Sequence, residues 1–346
     1  MAEYQEPVKI TVEMSPSFTL AALNKCLIIT DEHKTGGETS ANEIKVFSSS
    51  KEVGEWFGNN AKVFKAVEFF LGQKRYPSRQ PLIPDSFVIL SVSSTTTTKD
   101  KVLEALNTLA LGQEFYAVAS ILPDSTLAAG DLNSWLNENR KIQFAKTKIK
   151  TVAENIKSDR FIQVYNTKDD EYKEIAYMAT CITPGAGSKS DMNILSMCTS
   201  ENFGGDRTEL TAQGINVVER RTSKDYVVVR TGIATDGTDI TETTAIDCVI
   251  YNLIDNLEIL LAEKGVKMDS RGIADLEDTI GKVMGEMYLM GIVADTNGQA
   301  DFKILPTEIS ATDRQLKRIR PHVQFLLSDY AKLVDLVLER TLESTL

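Results

Sequence analysis

The side chains that most often carry chemistry are few and scattered in this 346-residue chain. Its four cysteines, Cys26, Cys181, Cys198 and Cys248, form no C-x-x-C pair, so neither a zinc site nor a disulfide framework is expected. All four read as buried free thiols. The two histidines, His33 and His322, leave little material for imidazole catalysis or metal ligation. His322 follows Pro321 at a strand entrance and reads as structural. An enzyme built on this chain would have to work through carboxylates, lysines or hydroxyls.

Three segments invite a sharper reading and fall short of it. Gly185-Ala186-Gly187-Ser188-Lys189-Ser190 suggests a phosphate loop, but G-x-x-x-x-G-K-[ST] needs glycine where Thr183 and Ser188 stand. The segment also follows a helical pattern, where that motif requires a strand. Thr235-Asp236-Gly237-Thr238-Asp239 lacks the alternating oxygen ligands and closing glutamate of a calcium loop, and reads as a turn into a helix capped by Thr243 or Thr244. No G-x-S-x-G elbow is present. No metal or cofactor is expected. The basic run Arg314, Lys317, Arg318 and Arg320 reads either as a solvated face or as a docking patch for an acidic partner.

Composition narrows the classes further. With 42% hydrophobic and 25% charged residues the chain matches a globular protein rather than a fibrous or disordered one. A net charge of -11 argues against sequence-independent binding to nucleic acid, because the surface as a whole repels phosphate. No apolar run approaches the roughly 20 residues of a membrane-spanning helix, and Met1-Ala-Glu-Tyr-Gln-Glu has no basic start or apolar signal core. The expectation is a protein without signal peptide, kept in a cytoplasm-like compartment away from membranes.

The elements that must position any site follow from periodicity. Pro7 to Met14 alternates strictly, with Val8, Ile10, Val12 and Met14 on one face, which predicts a strand. Further strands are expected at Cys26–Thr30 and Ile44–Phe47, then helices capped by Ser50 and carrying Val53, Trp56 and Phe57, then Val63, Val67 and Phe70.

From Phe87 strands and helices alternate. Strands at 87–92, 115–121, 142–147 and 161–165 are separated by helices after Thr98, at 127–139 and near 151–157. This repetition predicts a mostly parallel sheet with helices on its faces. No G-x-G-x-x-G follows the first of these strands, so the wiring is a scaffold without a dinucleotide fingerprint.

Helices are expected at 171–181 and 192–197. Gly204-Gly205 then reads as a boundary, beyond which a hairpin joins 214–220 to 225–230. A long helix from Thr244 to about Gly265 and a second over 270–290 follow. Strands return at 302–305, 323–328 and 333–342, the last with Val334, Leu336 and Leu338 on one apolar face.

The expected fold is mixed α/β: a first domain with a mostly parallel β-α-β sheet over 21–203, a C-terminal α+β domain over 204–332, and extended strand arms at 1–20 and 333–346. A strand at each end of a chain carries unpaired N–H and C=O groups, which a neighbour's open sheet edge would satisfy.

The order of these features resembles the contractile tail sheath proteins of bacteriophages and related phage-tail-like particles. The likeness is carried by I-K-V-F-S-S-S-K-E-V-G-E-W-F-G (44–58), by G-I-N-V-V-E-R-R-T-S-K-D-Y-V-V-V-R-T-G (214–232) with the long helix after it, and by the closing I-R-P-H-V-Q-F-L-L and L-V-D-L-V-L-E-R. The resemblance implies a non-enzymatic subunit of stacked rings or a multi-start helix around an inner tube. Terminal arms would add strands to neighbouring subunits, and relaxation of a metastable lattice would drive the tube through an envelope without a nucleotide.

Implied partners are other copies of the chain, the inner tube protein, and baseplate and tail terminator proteins, in a particle assembled in a bacterial cytoplasm. The β-α domain would lie outward. The helix at 270–290 and Arg314, Lys317, Arg318 and Arg320 are candidate tube contacts. An alternative reading is an α/β enzyme or nucleotide-binding regulator using the edge of the parallel sheet. A tube or baseplate subunit fits the alternating β-α part poorly.

Overall fold

The computed structural model of the chain describes residues 23–37, 42–76, 78–93, 98–201, 206–221 and 226–328. Val8, Ile10, Val12 and Met14 and the second arm set Val334, Leu336 and Leu338 lie outside these residues, as does Gly204-Gly205.

The described chain starts with β1 (Cys26–Thr30), whose five residues are all buried, and the antiparallel edge strand β2 (Glu43–Phe47). Helix α1 (Ser50–Phe57) is capped by Ser49, which accepts from the Glu52 amide, so the cap sits one residue earlier than its sequence suggests. Then come α2 (Lys62–Leu71), the small hairpin β3 (Lys74–Arg75) and β4 (Gln80–Pro81), and β5 (Phe87–Ser91). Helix α3 (Lys99–Ala105) runs into a π-turn at Leu106–Ala110 and leads to β6 (Ala117–Ser120). A short α4 (Asn133–Glu138) precedes β7 (Ile142–Thr147), and only a 3-10 turn at Glu154–Ile156 separates it from β8 (Phe161–Tyr165).

Helix α5 (Lys173–Ile182) is buried along its whole length. The helix expected at 192–197 is instead the strand β9 (Asn193–Ile194). Met192 and Met197 both take positive φ, which a right-handed helix cannot accommodate. Next are α6 (Arg207–Ala212), β10 (Ile215–Asn216), β11 (Val218–Arg221) and β12 (Tyr226–Val229).

Helix α7 (Ile240–Glu263) begins four residues before the expected Thr244, capped by Asp239 rather than by a threonine. The Thr243 and Thr244 hydroxyls donate to carbonyls one turn back and are buried inside the helix. Helix α8 (Ser270–Leu289), capped by Asp269, is followed by the hairpin β13 (Asp295–Thr296) and β14 (Gln299–Ala300). The described chain closes with β15 (Phe302–Leu305), the short α9 (Ala311–Gln315) and β16 (His322–Phe325).

The large sheet has seven strands in the order β10-β8-β7-β6-β1-β5-β2, all parallel except β2. This is the expected mixed α/β fold with a mostly parallel sheet. Ile215–Asn216 pairs with β8, so this sheet takes a strand from beyond position 204. One face packs on α1, α2 and α5 through Phe47, Val67, Phe70, Phe144 and Tyr177, and the other on α3 and α4 through Leu106, Leu132 and Trp135. A third core joins α7 to α8 through Val249, Leu253, Ile280, Val283 and Met284. Tyr251 of α7 belongs to the sheet's core while its neighbour Ile250 belongs to the third, so this one helix ties the two together.

Candidate assembly surface

Behind the surface stands a buried ion cluster that fixes α7 to the sheet. Asp247, fully buried, accepts from Arg140 Nη1 at 3.0 Å, from Arg160 Nη1 and Nη2 at 2.7 and 2.9 Å, and from the Tyr116 hydroxyl at 2.7 Å. Tyr116, Arg140 and Arg160 each sit just before β6, β7 or β8, so the N-terminal edge of the parallel sheet converges on one carboxylate. Tyr251, one turn further along α7, donates to the Arg140 carbonyl at 3.3 Å. Lys141 lies beside them, its Nζ donating to the Phe115 carbonyl at 2.6 Å and lying 4.9 Å from that ring's centroid. Burial lowers the Lys141 pKa to about 7 against the opposing pull of Asp247.

The opposite, C-terminal edge is where α/β folds place ligands. At the β8 end of that edge the chain's own polar groups pair with one another. Buried Lys173 pairs with Glu201 and, at 3.4 Å, with Glu171. Glu171 accepts from the Thr199 amide and hydroxyl, and Glu201 from the Thr167 amide and hydroxyl. Burial raises the neighbouring Glu174 to about 7. Among the described residues no group of three or more His, Cys, Asp or Glu side chains could hold a metal ion, and no helix is long and apolar enough to cross a membrane. All four cysteines are buried, and burial pushes each thiol up.

The glycine-rich segment that suggested a phosphate loop is spent on the start of α7. Its Gly187 amide donates to Thr244 Oγ1, and the Ser190 amide donates to Thr241 Oγ1. Gly232 makes the close approach possible: a Cβ there would stand 2.6 Å from Ser190 Oγ, at φ +73.

The surface left incomplete is the two-stranded sheet of β15 and β16. Phe302, Ile304, Val323, Phe325 and Leu327 alternate onto the α7–α8 core. No further strand pairs with either outer edge among the described residues. Beyond Phe325 the chain stays extended: Leu326 donates to the Asp301 carbonyl at 3.0 Å and accepts from Ala294 at 2.8 Å, and Ser328 donates to Ile292 at 2.8 Å. The even-numbered backbone groups from 322 to 328 therefore point inward, and those of Val323, Phe325 and Leu327 line an outer edge seven residues long. Val323, Phe325 and Leu327 are only half-buried, and Leu326 on the other face is 56% exposed.

Between these strands lies the basic run. Asp313 accepts from Ser310 Oγ, from Arg318 Nε at 3.1 Å and from Arg320 Nη2 at 2.8 Å. These donors, Ser310 first and then Arg320, hold its carboxyl far below the usual range. Arg314 Nη1 donates to the Met268 carbonyl, which brings the run beside the start of α8. Two of the four exposed cations, Arg318 and Arg320, share this one carboxylate, and the patch stays positive on an acidic chain. The sequence revealed the cations but not Asp313 as their organiser. It also gave one unread signal for the buried cluster: an acid, Asp247, inside the apolar stripe A-I-D-C-V-I.

No protein-family model matches the sequence, and no curated protein matches it. Solved structures do match in fold. A chain of the contracted helical sheath of the anti-feeding prophage superposes with a TM-score of 0.73 at 14% identity, over 98% of this chain and 100% of that one. A chain of the anti-feeding prophage baseplate gives 0.72 at 14% identity over 99% of both. A chain of the contracted PVC sheath complex, from an extracellular contractile injection system, gives 0.65 at 7% identity over 100% of this chain and 99% of that one. The chain thus has the fold of contractile sheath proteins.

Proposed function

We propose that the protein is a structural subunit of a contractile sheath that polymerises around an inner tube and contracts to drive the tube through a cell envelope. The observation that carries this reading is the β15–β16 sheet, unfilled among the described residues, within a fold shared with sheath subunits. It has two outer edges, and the chain has two terminal segments whose alternation, Val8, Ile10, Val12 and Met14 or Val334, Leu336 and Leu338, suits the apolar side that faces α8. An arm of a neighbouring copy added there extends both the ladder and the core beneath it. Links of this kind survive rotation of one subunit against another, which is what a lattice switch requires.

The division of labour follows. The α/β part, expected as 21–203 and keeping Ile215–Asn216 in its sheet, lies outward. The C-terminal part, expected as 204–332, faces the tube, with Arg314, Lys317, Arg318 and Arg320 as its contact to an acidic tube surface. Baseplate and terminator proteins bind the ends of the polymer, and assembly takes place in the bacterial cytoplasm. The subunit needs no catalytic centre of its own.

Electron microscopy of the concentrated full-length protein, alone and with a tube protein, tests this. Sleeves or tubes are expected from the full chain. Folded protein that forms no sleeves is expected after deletion of residues 1–14 or termination before Leu333. Monomers from the full chain under every condition would remove the reading.

A further inference from the structure

We propose that in the free subunit the C-terminal segment 333–342 closes the subunit's own β16 edge, and that assembly exchanges this strand for a neighbour's. The inference rests on the sheath reading and adds to it a guard against premature polymerisation. A long, flat, apolar strand edge in a free protein is an aggregation hazard, and the stretch from Val323 to Ser328 is such an edge. Something has to cover it before assembly.

The nearest candidate is the chain that continues from it. After Ser328, the four residues Asp329, Tyr330, Ala331 and Lys332 suffice for a hairpin connection. With that loop length Leu327 falls opposite Val334, Phe325 opposite Leu336 and Val323 opposite Leu338. The three apolar side chains then lie on the α8 side beside the half-buried row of β16. The same register sets the backbone groups of these odd-numbered β16 residues against the incoming strand, and places Glu339 across from His322 on the solvent side. A connection one residue longer or shorter would turn the apolar row outward.

Closed and exchanged states use the same contacts, so the balance between them is set by concentration. A strand tethered by four residues acts at an effective concentration of roughly millimolar, above that of a free subunit in solution. The closed monomer therefore prevails until contacts that only a growing lattice supplies tip the exchange.

The test is the double variant Gln324→Cys with Val337→Cys in the full chain, two solvent-side positions directly opposite in the proposed register. The four native cysteines are buried and do not compete. Oxidised while dilute, the variant is expected to form an intrachain disulfide, seen as faster migration on a non-reducing gel. It should then fail to form sleeves where the wild type does, and regain assembly with reductant. Free thiols, links only between chains, or an intrachain link that leaves assembly unaltered would each overturn the proposal without touching the sheath reading. Absence of sleeves from the wild type as well would overturn that reading, and the proposal with it.

Discussion

The two ends of α7 meet opposite fates. Near its start Asp247 gathers Arg140, Arg160 and Tyr116 into a buried set of charge-assisted hydrogen bonds. Past its end, the α7–α8 core is roofed by two strands whose outer edges are left unfilled among the described residues. A buried ion pair adds little net stability over an apolar replacement, but removing one partner strands the other charges in a low dielectric. The first region therefore fastens α7 firmly to the sheet. The second leaves strand edges open among the described residues, and the combination suits the proposed role of a part that rotates without deforming while staying tied to its neighbours.

The contrast can be broken at either end. Asp247→Ala carries the largest expected effect on stability, a loss of about 3–5 kcal/mol in chemical denaturation, because two guanidinium groups lose their buried counter-ion. A loss below about 1 kcal/mol would mean that the cluster does not fasten α7. Phe325→Ser on the incomplete sheet is expected to cost about 1–2 kcal/mol, since that side chain is only half-buried, yet to abolish sleeve formation. Normal assembly by this variant would argue that the apolar side of β16 is not where subunits join.

A smaller effect is expected from Lys141→Met. The folded lysine gives up its proton near pH 7 and the unfolded one near 10.5, so the unfolded state binds more protons between those values and wild-type stability should rise with pH there. The slope is up to about 1.4 kcal/mol per pH unit, and the methionine variant should lose it. An identical pH profile would show that Lys141 is not held in an apolar setting. Smallest in stability is the pair Arg314→Glu with Lys317→Glu, within about 0.5 kcal/mol of wild type. Its effect should appear as weakened, less salt-sensitive binding to the tube, and unchanged binding would exclude these side chains from that contact.

What could be read from the sequence follows the range of the forces involved. Strands such as 87–91 and 161–165 announce themselves because they are buried on both faces, and α8 because its apolar stripe has helical spacing. The true start of α7 is hidden in a run of threonines where Asp239 alone reaches the Thr241 amide. β9 is hidden because two left-handed methionines, not composition, decide it. The Asp247 cluster joins residues 87, 107 and 131 positions apart, which no local pattern encodes. The basic run was visible as charge, but the sharing of Asp313 depends on the fold of 310–320.

The most direct test is a cryo-electron microscopy map of the assembled protein, traced through the strand that lies beside residues 322–328. The account predicts a terminal arm from a neighbouring copy, with alternate apolar side chains turned toward α8. An edge left bare in the assembly, or filled only by the same subunit's own segment, would contradict it.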